Sequence, residues 1–253
     1  MCVMGFSDIK NVLSRVLALC LKDAKLYYFK GPIVVMGVLT PMFLWLAFSI
    51  GAGYSLVRTL PMLIAISAFF ASSSITPVIM PWETRQRTLE MLLSRPVTIY
   101  TILLGTALAS SLFGILISLG LVCIGLLLNL VPQNPLLLFV GVAVSSLCYS
   151  FMGLLFAAIP TDVPADVVFL SSAIRLPLVF VSGVFIPLQE LPYYVLPLAF
   201  SSPLTYLSDL MKSIYYSTSF LNPSLDLVIL SLLTVMFALL ALITNKATLM
   251  KRL

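Results

Sequence analysis

The stretch VTIYTILLGTALASSLFGILISLGLVCIGLLLNLVPQNPLLLFVGVAVSSLCYSFMGLLFAAI, residues 97–159, decides the fold class. It contains no charged side chain, and one turn cluster, VPQNP at residues 131–135, divides it into two apolar segments. Each segment has the roughly 20 apolar residues that a transmembrane helix needs. We therefore predict two consecutive membrane-spanning helices, at residues 97–130 and 136–159.

The rest of the chain has the same character. Of its 253 residues, 61% are hydrophobic and only 9% are charged, whereas a soluble domain has about 25% charged residues. Disordered chains, secreted disulfide scaffolds and ordinary soluble enzymes are excluded on this ground. The composition predicts an all-α membrane protein. Four more apolar segments bring the number of predicted transmembrane helices to six, and they lie at residues 31–51, 59–81, 167–187 and 225–244.

The basic residues predict the orientation, because Lys and Arg accumulate on the cytoplasmic side of a membrane. We expect a multi-pass protein of the cell membrane with both termini in the cytoplasm. The two cations Arg58 and Lys212 then lie outside, and Arg175 lies within the membrane. The other 11 lie inside: Lys10, Arg15, Lys22, Lys25, Lys30, Arg85, Arg87, Arg95, Lys246, Lys251 and Arg252. Since these charges flank apolar segments instead of forming a patch, we expect no nucleic-acid partner.

Residues 8–30 predict an amphipathic helix that lies in the plane of the membrane interface. Its polar face carries Asn11, Arg15, Lys22 and Lys25, and its apolar face carries Val12, Leu13, Val16, Leu17, Cys20 and Leu21. Two interpretations remain open. The helix is either a surface anchor or a docking surface for a partner protein.

Residues 83–94 predict a second helix that does not span the membrane. Leu89, Leu92 and Leu93 recur at the spacing of one helix face, and Pro96 ends the helix. It is either an interfacial helix anchored by Trp82 or a helix that inserts its leucines into a groove on a soluble partner.

Residues 188–222, on the outer side, are too apolar for a solvated loop and too rich in proline for a span. We predict two short half-helices, at about residues 191–200 and 203–216, that dip into the outer leaflet as a re-entrant hairpin. Ser202 followed by Pro203 is typical of a helix start.

Three motifs around this hairpin, VSGVFIPL at 181–188, LP at 191–192 and SPLTY at 202–206, resemble the type-2 ABC transporter permease family. The residues that carry the resemblance are Ser182, Gly183, Pro187, Pro192, Pro203, Thr205 and Tyr206. The segment TLEMLLSRP at 88–96 is similar to the coupling-helix region of that family. The chain departs from the family pattern at Arg87, where glycine is expected, and at Gly105-Thr106, where a Gly-Lys pair is commoner.

The resemblance implies the permease subunit of an ATP-driven exporter, with a single transmembrane domain. A hydrophobic or amphipathic substrate, such as a drug, a lipid or a glycan-lipid, would cross through it. The expected partners are two copies of an ABC ATPase, a second permease copy (the same chain or a close paralogue) and membrane lipid. The coupling helix would contact the ATPase through Glu83, Arg85, Arg87, Leu89, Glu90, Leu92 and Leu93.

No cofactor is expected on this chain, because no lysine follows a glycine as a phosphate-binding loop requires. ATP and magnesium would bind to the partner. The chain also has no histidine, and its charges are scattered, so catalytic and metal residues are not predicted. A membrane-embedded lipid-modifying enzyme and a secondary transporter remain the alternatives.

Arg175 is the most informative single residue, since a charge near the middle of a membrane span costs about 2.5–3.5 kcal/mol on insertion scales. Two interpretations remain open. Arg175 lines the translocation path together with Ser171 and Ser172, or it is a structural charge whose hydrogen bonds are satisfied by these serines and by backbone carbonyls.

Overall fold

The computed structural model of the chain describes residues 6–28, 34–94, 97–159, 161 and 163–249, with the backbone alone for residues 6–11, 93 and 249. These residues form eleven α-helices and no strand. The helices are α1 (Phe6–Tyr27), α2 (Thr40–Gly51), α3 (Leu60–Ser73), α4 (Thr76–Arg85), α5 (Thr88–Leu93), α6 (Ile99–Leu127), α7 (Pro135–Ala157), α8 (Pro164–Val181), α9 (Leu196–Ser201), α10 (Pro203–Tyr216) and α11 (Pro223–Leu249).

The structure confirms an all-α membrane protein. Five helices in the described part of the chain are long and apolar enough to cross a membrane: Leu60–Arg85, Ile99–Leu127, Pro135–Ala157, Pro164–Val181 and Pro223–Thr248. They correspond to five of the six predicted spans. The remaining one, predicted at residues 31–51, corresponds to a shorter apolar helix, Val35–Gly51, and its first residues lie outside the described part. The count of six spans therefore stays a prediction.

The helix starts follow from the local sequence. Thr98 caps α6, where its hydroxyl accepts a hydrogen bond from the backbone N–H of Thr101 at 3.3 Å. Asn134 caps α7 in the same way, at 3.1 Å from the N–H of Leu137, and Pro135 occupies the first helical position. The turn cluster at 131–135 thus separates the two helices where the sequence predicted it.

The second span is the centre of the bundle. It consists of α3 and α4, which meet at a break over Ser74 and Ile75. Within this span, 94% of an apolar stretch of 18 residues is buried inside the chain. Helices α6, α7 and α10 pack around α3, α11 packs on α7, and α1 packs on α6. We call the end of the bundle near Gln86 the inner end, and the end near Arg58 the outer end.

The interface helix has two apolar faces where the sequence predicted one. Val16, Leu19 and Cys20 are buried, whereas Leu13 and Leu17 on the other side are at least half exposed. The buried face lies against α6. Helix α1 therefore packs into the bundle through one apolar face and exposes a second apolar face, which includes Leu13 and Leu17.

The prediction of one continuous helix at residues 83–94 is wrong. Glu83 and Arg85 belong to the last turn of α4, which continues the second span. Arg87 then adopts a left-handed backbone conformation with φ of 55°, which cannot continue a right-handed helix. Only the six residues Thr88–Leu93 form the separate helix α5.

The outer hairpin agrees with the prediction in its second half. Helix α10 covers Pro203–Tyr216, as predicted, while the first half is shorter and consists of a 3-10 turn, Tyr193–Val195, followed by α9. Ser202 precedes Pro203 at the helix start, but its hydroxyl makes no capping hydrogen bond. The depth of the hairpin in a membrane stays a prediction.

Candidate functional site

A group of polar side chains joins three helices at the inner end. Lys22 of α1 lies 3.0 Å from Asp23 Oδ1 through its Nζ atom, and the same ammonium group donates to Glu83 Oε1 at the end of α4. Thr106 of α6 donates a hydrogen bond to Asp23 Oδ2 at 2.7 Å. We call Lys22, Asp23, Glu83 and Thr106 the inner cluster.

The inner cluster is largely closed to solvent. Asp23 and Glu83 are both buried, whereas the Lys22 side chain keeps 27% of its exposure. Burial raises the pKa of Asp23, with the Lys22 ammonium acting in the opposite direction. Burial by itself lowers the pKa of Lys22, but the two carboxylates outweigh it and the pKa is raised. The lysine therefore stays charged and neutralises one of the two buried acids.

Close packing between α1 and α6 places these groups within reach of one another. A Cβ atom on Gly105 would lie 2.8 Å from Leu19 Cβ, so only glycine allows this approach. Thr106, where the permease resemblance expects lysine, donates to Asp23, and Lys22 provides the positive charge beside this carboxylate. Tyr27 also stacks on Trp82 of α4, with ring centroids 5.6 Å apart.

The predicted ATPase-contacting residues separate into two groups. Glu83 is buried in the inner cluster, and Leu89 is only 2% exposed and belongs to a buried apolar cluster with Ile102 and Leu103 of α6. Both side chains are buried within the chain, and their predicted roles as ATPase contacts stay predictions. Leu92 is partly buried against the same core, and the side chain of Leu93 lies outside the described part.

The other predicted contacts are exposed around the break between α4 and α5. Arg85, Arg87 and Glu90 face outward, together with Gln86 and Met91. We call these five residues the inner-end surface. The sequence prediction missed Met91, which is 67% exposed. Met91 lies between Leu89 and Leu92 in the sequence. These two leucines pack into the core of the chain, whereas Met91 is on the exposed side of α5.

Arg175 lies on α8, and its side chain is buried against the middle of the second span. Its guanidinium group donates from Nη1 to Ser74 Oγ at 2.9 Å and to Ser73 Oγ at 3.3 Å, and from Nη2 to Ser171 Oγ at 3.0 Å. Nε donates to the Ser171 carbonyl at 3.1 Å, and Ser172 Oγ lies at the limit, 3.5 Å from Nη2. Within the described part of the chain no carboxylate pairs with it.

These contacts join α8 to the break in the second span. The two serines of its own helix were predicted from the sequence, whereas Ser73 and Ser74, about a hundred positions earlier, were missed. Arg175 is only 2% exposed. The geometry fits a structural charge satisfied by hydroxyl and carbonyl groups. A role in lining the translocation path stays a prediction.

The motif residues at the outer end join α8 to the hairpin. Gly183 has φ of 74°, and a Cβ atom there would lie 2.8 Å from Leu188 Cγ. The carbonyls of Ser182 and Gly183 accept hydrogen bonds from Ser208 Oγ at 3.0 Å and from Lys212 Nζ at 2.6 Å. Helix α10 thereby satisfies carbonyls that the end of α8 leaves without helical partners.

The remaining motif residues shape the hairpin itself. Pro187 and Pro192 each precede a 3-10 turn, and Pro203 starts α10. Thr205 Oγ1 donates to the Ala199 carbonyl at 2.5 Å, and Tyr206 Oη donates to the Phe200 carbonyl at 2.7 Å. Two hydroxyls of α10 therefore bind the carbonyls near the end of α9.

Comparison with known proteins agrees with the resemblance seen in the sequence. A comparison with curated protein sequences gave no significant match. The family model described as ABC-2 type transporter matches residues 13–216. This region includes the inner cluster, the inner-end surface, Arg175 and the hairpin motifs. The chain therefore belongs to the ABC-2 type transporter family and is the transmembrane component of an ABC transporter.

Proposed function

We propose that the chain is the permease subunit of an exporter for a hydrophobic or amphipathic substrate, driven by a separate ATPase. Two ATPase copies with bound ATP and magnesium dock at the inner end, and a second permease copy completes the path. The chain lies in the cell membrane with both termini in the cytoplasm. Its own residues transmit the movement of the ATPase and bind no nucleotide.

The observation that carries this proposal is the position of the inner cluster directly behind the inner-end surface. Glu83 lies two residues before Arg85, the first exposed residue, and its carbonyl accepts a hydrogen bond from Thr88 Oγ1 of α5 at 3.2 Å. Its carboxylate binds Lys22 of α1. A push on the surface therefore reaches α1 and α4 through polar contacts.

The same push reaches α6 through apolar contacts. Leu89 of α5 is buried in the same apolar cluster as Ile99, Ile102 and Leu103 from the first turns of α6. Because a close-packed core has little room to deform, α5 and the start of α6 move together. Leu89 thus transmits movement within the chain, while Met91 and the charged residues beside it make the contact with the partner.

Arg175 has a different role in this proposal, because it fixes α8 against the break between α3 and α4. The helical structure is interrupted at Ser74 and Ile75, which makes this the point where the second span can bend. The guanidinium group holds Ser73, Ser74 and Ser171 together. We infer that it positions α8 beside the translocation path, so that bending of the second span moves both elements.

A secondary transporter is the alternative that one structural observation favours. Asp209 and Asp226 are both buried at the outer end, and Asp226 has no hydrogen-bond partner for either carboxylate oxygen among the described residues. Coupling to protons would use such an acid. Transport driven by a proton gradient in the absence of ATP would support this alternative and contradict the exporter.

The experiment is a measurement of ATP hydrolysis in the complex that a tagged full-length chain brings down from its native membranes. Met91→Asp places a charge in the inner-end surface and should lower the retained ATPase activity several-fold. Tyr194→Asp is the matched control, since Tyr194 is an exposed apolar side chain, 82% exposed, at the outer end. Equal activity in both variants, or a chain that purifies without ATPase activity, would contradict the proposal.

A further inference from the structure

A cavity at the outer end brings together two cations that are far apart in the sequence. It has a volume of about 290 Å³, and both Arg58 and Lys212 line it. Arg58 belongs to the loop between α2 and α3, and Lys212 lies on α10. These are the two basic residues that the charge distribution predicts on the outer side of the membrane. Folding therefore concentrates the outer positive charge at one place.

The walls of the cavity are suited to a ligand with a polar and an apolar part. Tyr54, Tyr216 and Thr218 contribute hydroxyl groups, while Met62 and Phe185 contribute apolar surface. The loop that carries Arg58 is held in place, because Tyr216 Oη donates to the Arg58 carbonyl and Trp45 Nε1 donates to the Thr59 carbonyl at 3.0 Å. The backbone at Arg58 is thus held in place within the chain, and the Lys212 ammonium group is held by the Gly183 carbonyl.

The charge of Lys212 is only partly compensated within the chain. Its ammonium group donates to the Gly183 carbonyl at 2.6 Å. The nearest carboxylate, Asp209, accepts three hydrogen bonds from the backbone N–H groups of Phe220 and Leu221, at 2.7–3.0 Å. Burial lowers the pKa of Lys212, and Asp209 acts against this shift. An anion in the cavity would therefore stabilise the charged lysine.

We propose that this cavity binds a phosphate group at the outer end of the protein, with Arg58 and Lys212 as the residues that bind the anion. Guanidinium and ammonium groups are the usual protein partners of phosphate oxygens. The hydroxyl groups of Tyr54 and Thr218 supply further donors, and the apolar walls accommodate the carbon part of the ligand. A phospholipid headgroup and a water-soluble phosphate compound share this chemistry. The proposal is independent of ATP-driven export.

The test is native mass spectrometry of the purified full-length chain titrated with phosphatidylglycerol in detergent micelles. Arg58→Gln should weaken lipid binding about tenfold, the size of one charge-assisted contact, and Arg58→Lys should retain most of the affinity. Lys25→Gln is the matched control, because it removes one exposed positive charge from α1 at the inner end.

Two further arms identify the ligand and guard against misfolding. If inorganic phosphate displaces the lipid from the wild type, a water-soluble phosphate compound can occupy the cavity; if it does not, the lipid headgroup is the ligand, and both results support the site. Thermal unfolding checks that Arg58→Gln is folded, which is expected because Tyr216 binds only the backbone of Arg58. Equal weakening by Arg58→Gln and Lys25→Gln would overturn the proposal.

Discussion

Lys22 and Arg175 are two cations that the fold uses in opposite ways. At the inner end, Lys22 is shared by two buried carboxylates, Asp23 and Glu83. Arg175 of α8, which packs against the middle of the second span, is surrounded by serine hydroxyls and a backbone carbonyl. Each cation joins a neighbouring helix to the second span. Each contact lies close to a place where the second span is interrupted or ends.

The difference between the two sites lies in what remains after the cation is removed. Without Lys22, two carboxylates would be left in a buried position. Without Arg175, two of the four serines keep other partners, since Ser73 Oγ also donates to the Phe69 carbonyl at 2.6 Å and Ser171 Oγ to the Val168 carbonyl at 3.0 Å. The inner site should therefore be important for stability, and the middle site for the mobility of the helices.

The largest effect is expected for Lys22→Met. Removing one partner of a buried ion pair costs about 3–5 kcal/mol, because the remaining charge has no compensation. Denaturant unfolding of the purified chain measures this loss. Lys25→Met is the matched control on the exposed side of the same helix and should have almost no effect. Equal losses for the two variants would show that the inner cluster contributes no stability.

Gly105→Ala should destabilise the chain by about 1–3 kcal/mol, the usual cost of overpacking. Its new Cβ atom would lie 2.8 Å from Leu19 Cβ and separate α1 from α6. Gly120→Ala on the same helix has no atom within 4 Å of its Cβ position and should be neutral or stabilising. Comparison of the two unfolding free energies separates packing from helix propensity, and a stabilising Gly105→Ala would contradict the close approach.

Arg175→Met should cost only about 1 kcal/mol, since chiefly the hydrogen bond to Ser74 Oγ is lost without replacement. Buried ionic groups replaced by apolar side chains of similar volume are often close to neutral in stability. Transport by the reconstituted complex should nevertheless fall, while assembly with the ATPase is retained. A stability loss as large as that of Lys22→Met, or unchanged transport, would contradict the contrast between the two sites.

The smallest effect is expected at the turn between α4 and α5. Arg87→Gly removes the steric cost of a left-handed residue, about 1 kcal/mol, and should stabilise the chain slightly. Arg85→Gly, two residues earlier in the last turn of α4, should instead destabilise it by a similar amount. Thermal unfolding of both variants would show opposite shifts, and shifts of the same sign would contradict the left-handed turn.

The sequence predicted the elements that depend on local patterns. The spans follow from apolar length, α10 follows from Pro203, and the turn before α7 follows from the VPQNP cluster. The left-handed turn at Arg87 was not predicted, although the glycine that the family pattern has at this position is a signal for it. The φ of 55° at Arg87 gives the expectation of glycine a physical reason.

Contacts between distant segments could not be predicted in the same way. An amphipathic helix shows which residues avoid water, but not whether they meet lipid, a partner or the chain itself. Leu89 was therefore interpreted as an outward contact, although it is buried in an apolar cluster that it shares with α6. Likewise, Lys22 and Glu83 are 61 positions apart, and no spacing rule connects them.

The central claim is that the partner ATPase contacts the chain at the inner-end surface. Its most direct test places a photo-reactive amino acid at Met91 in the full-length chain and irradiates native membranes. We predict a crosslink to a nucleotide-binding protein, identified by labelling with a photo-reactive ATP analogue, and no such crosslink from Tyr194 at the outer end. Crosslinks from Met91 to lipid alone would contradict the claim.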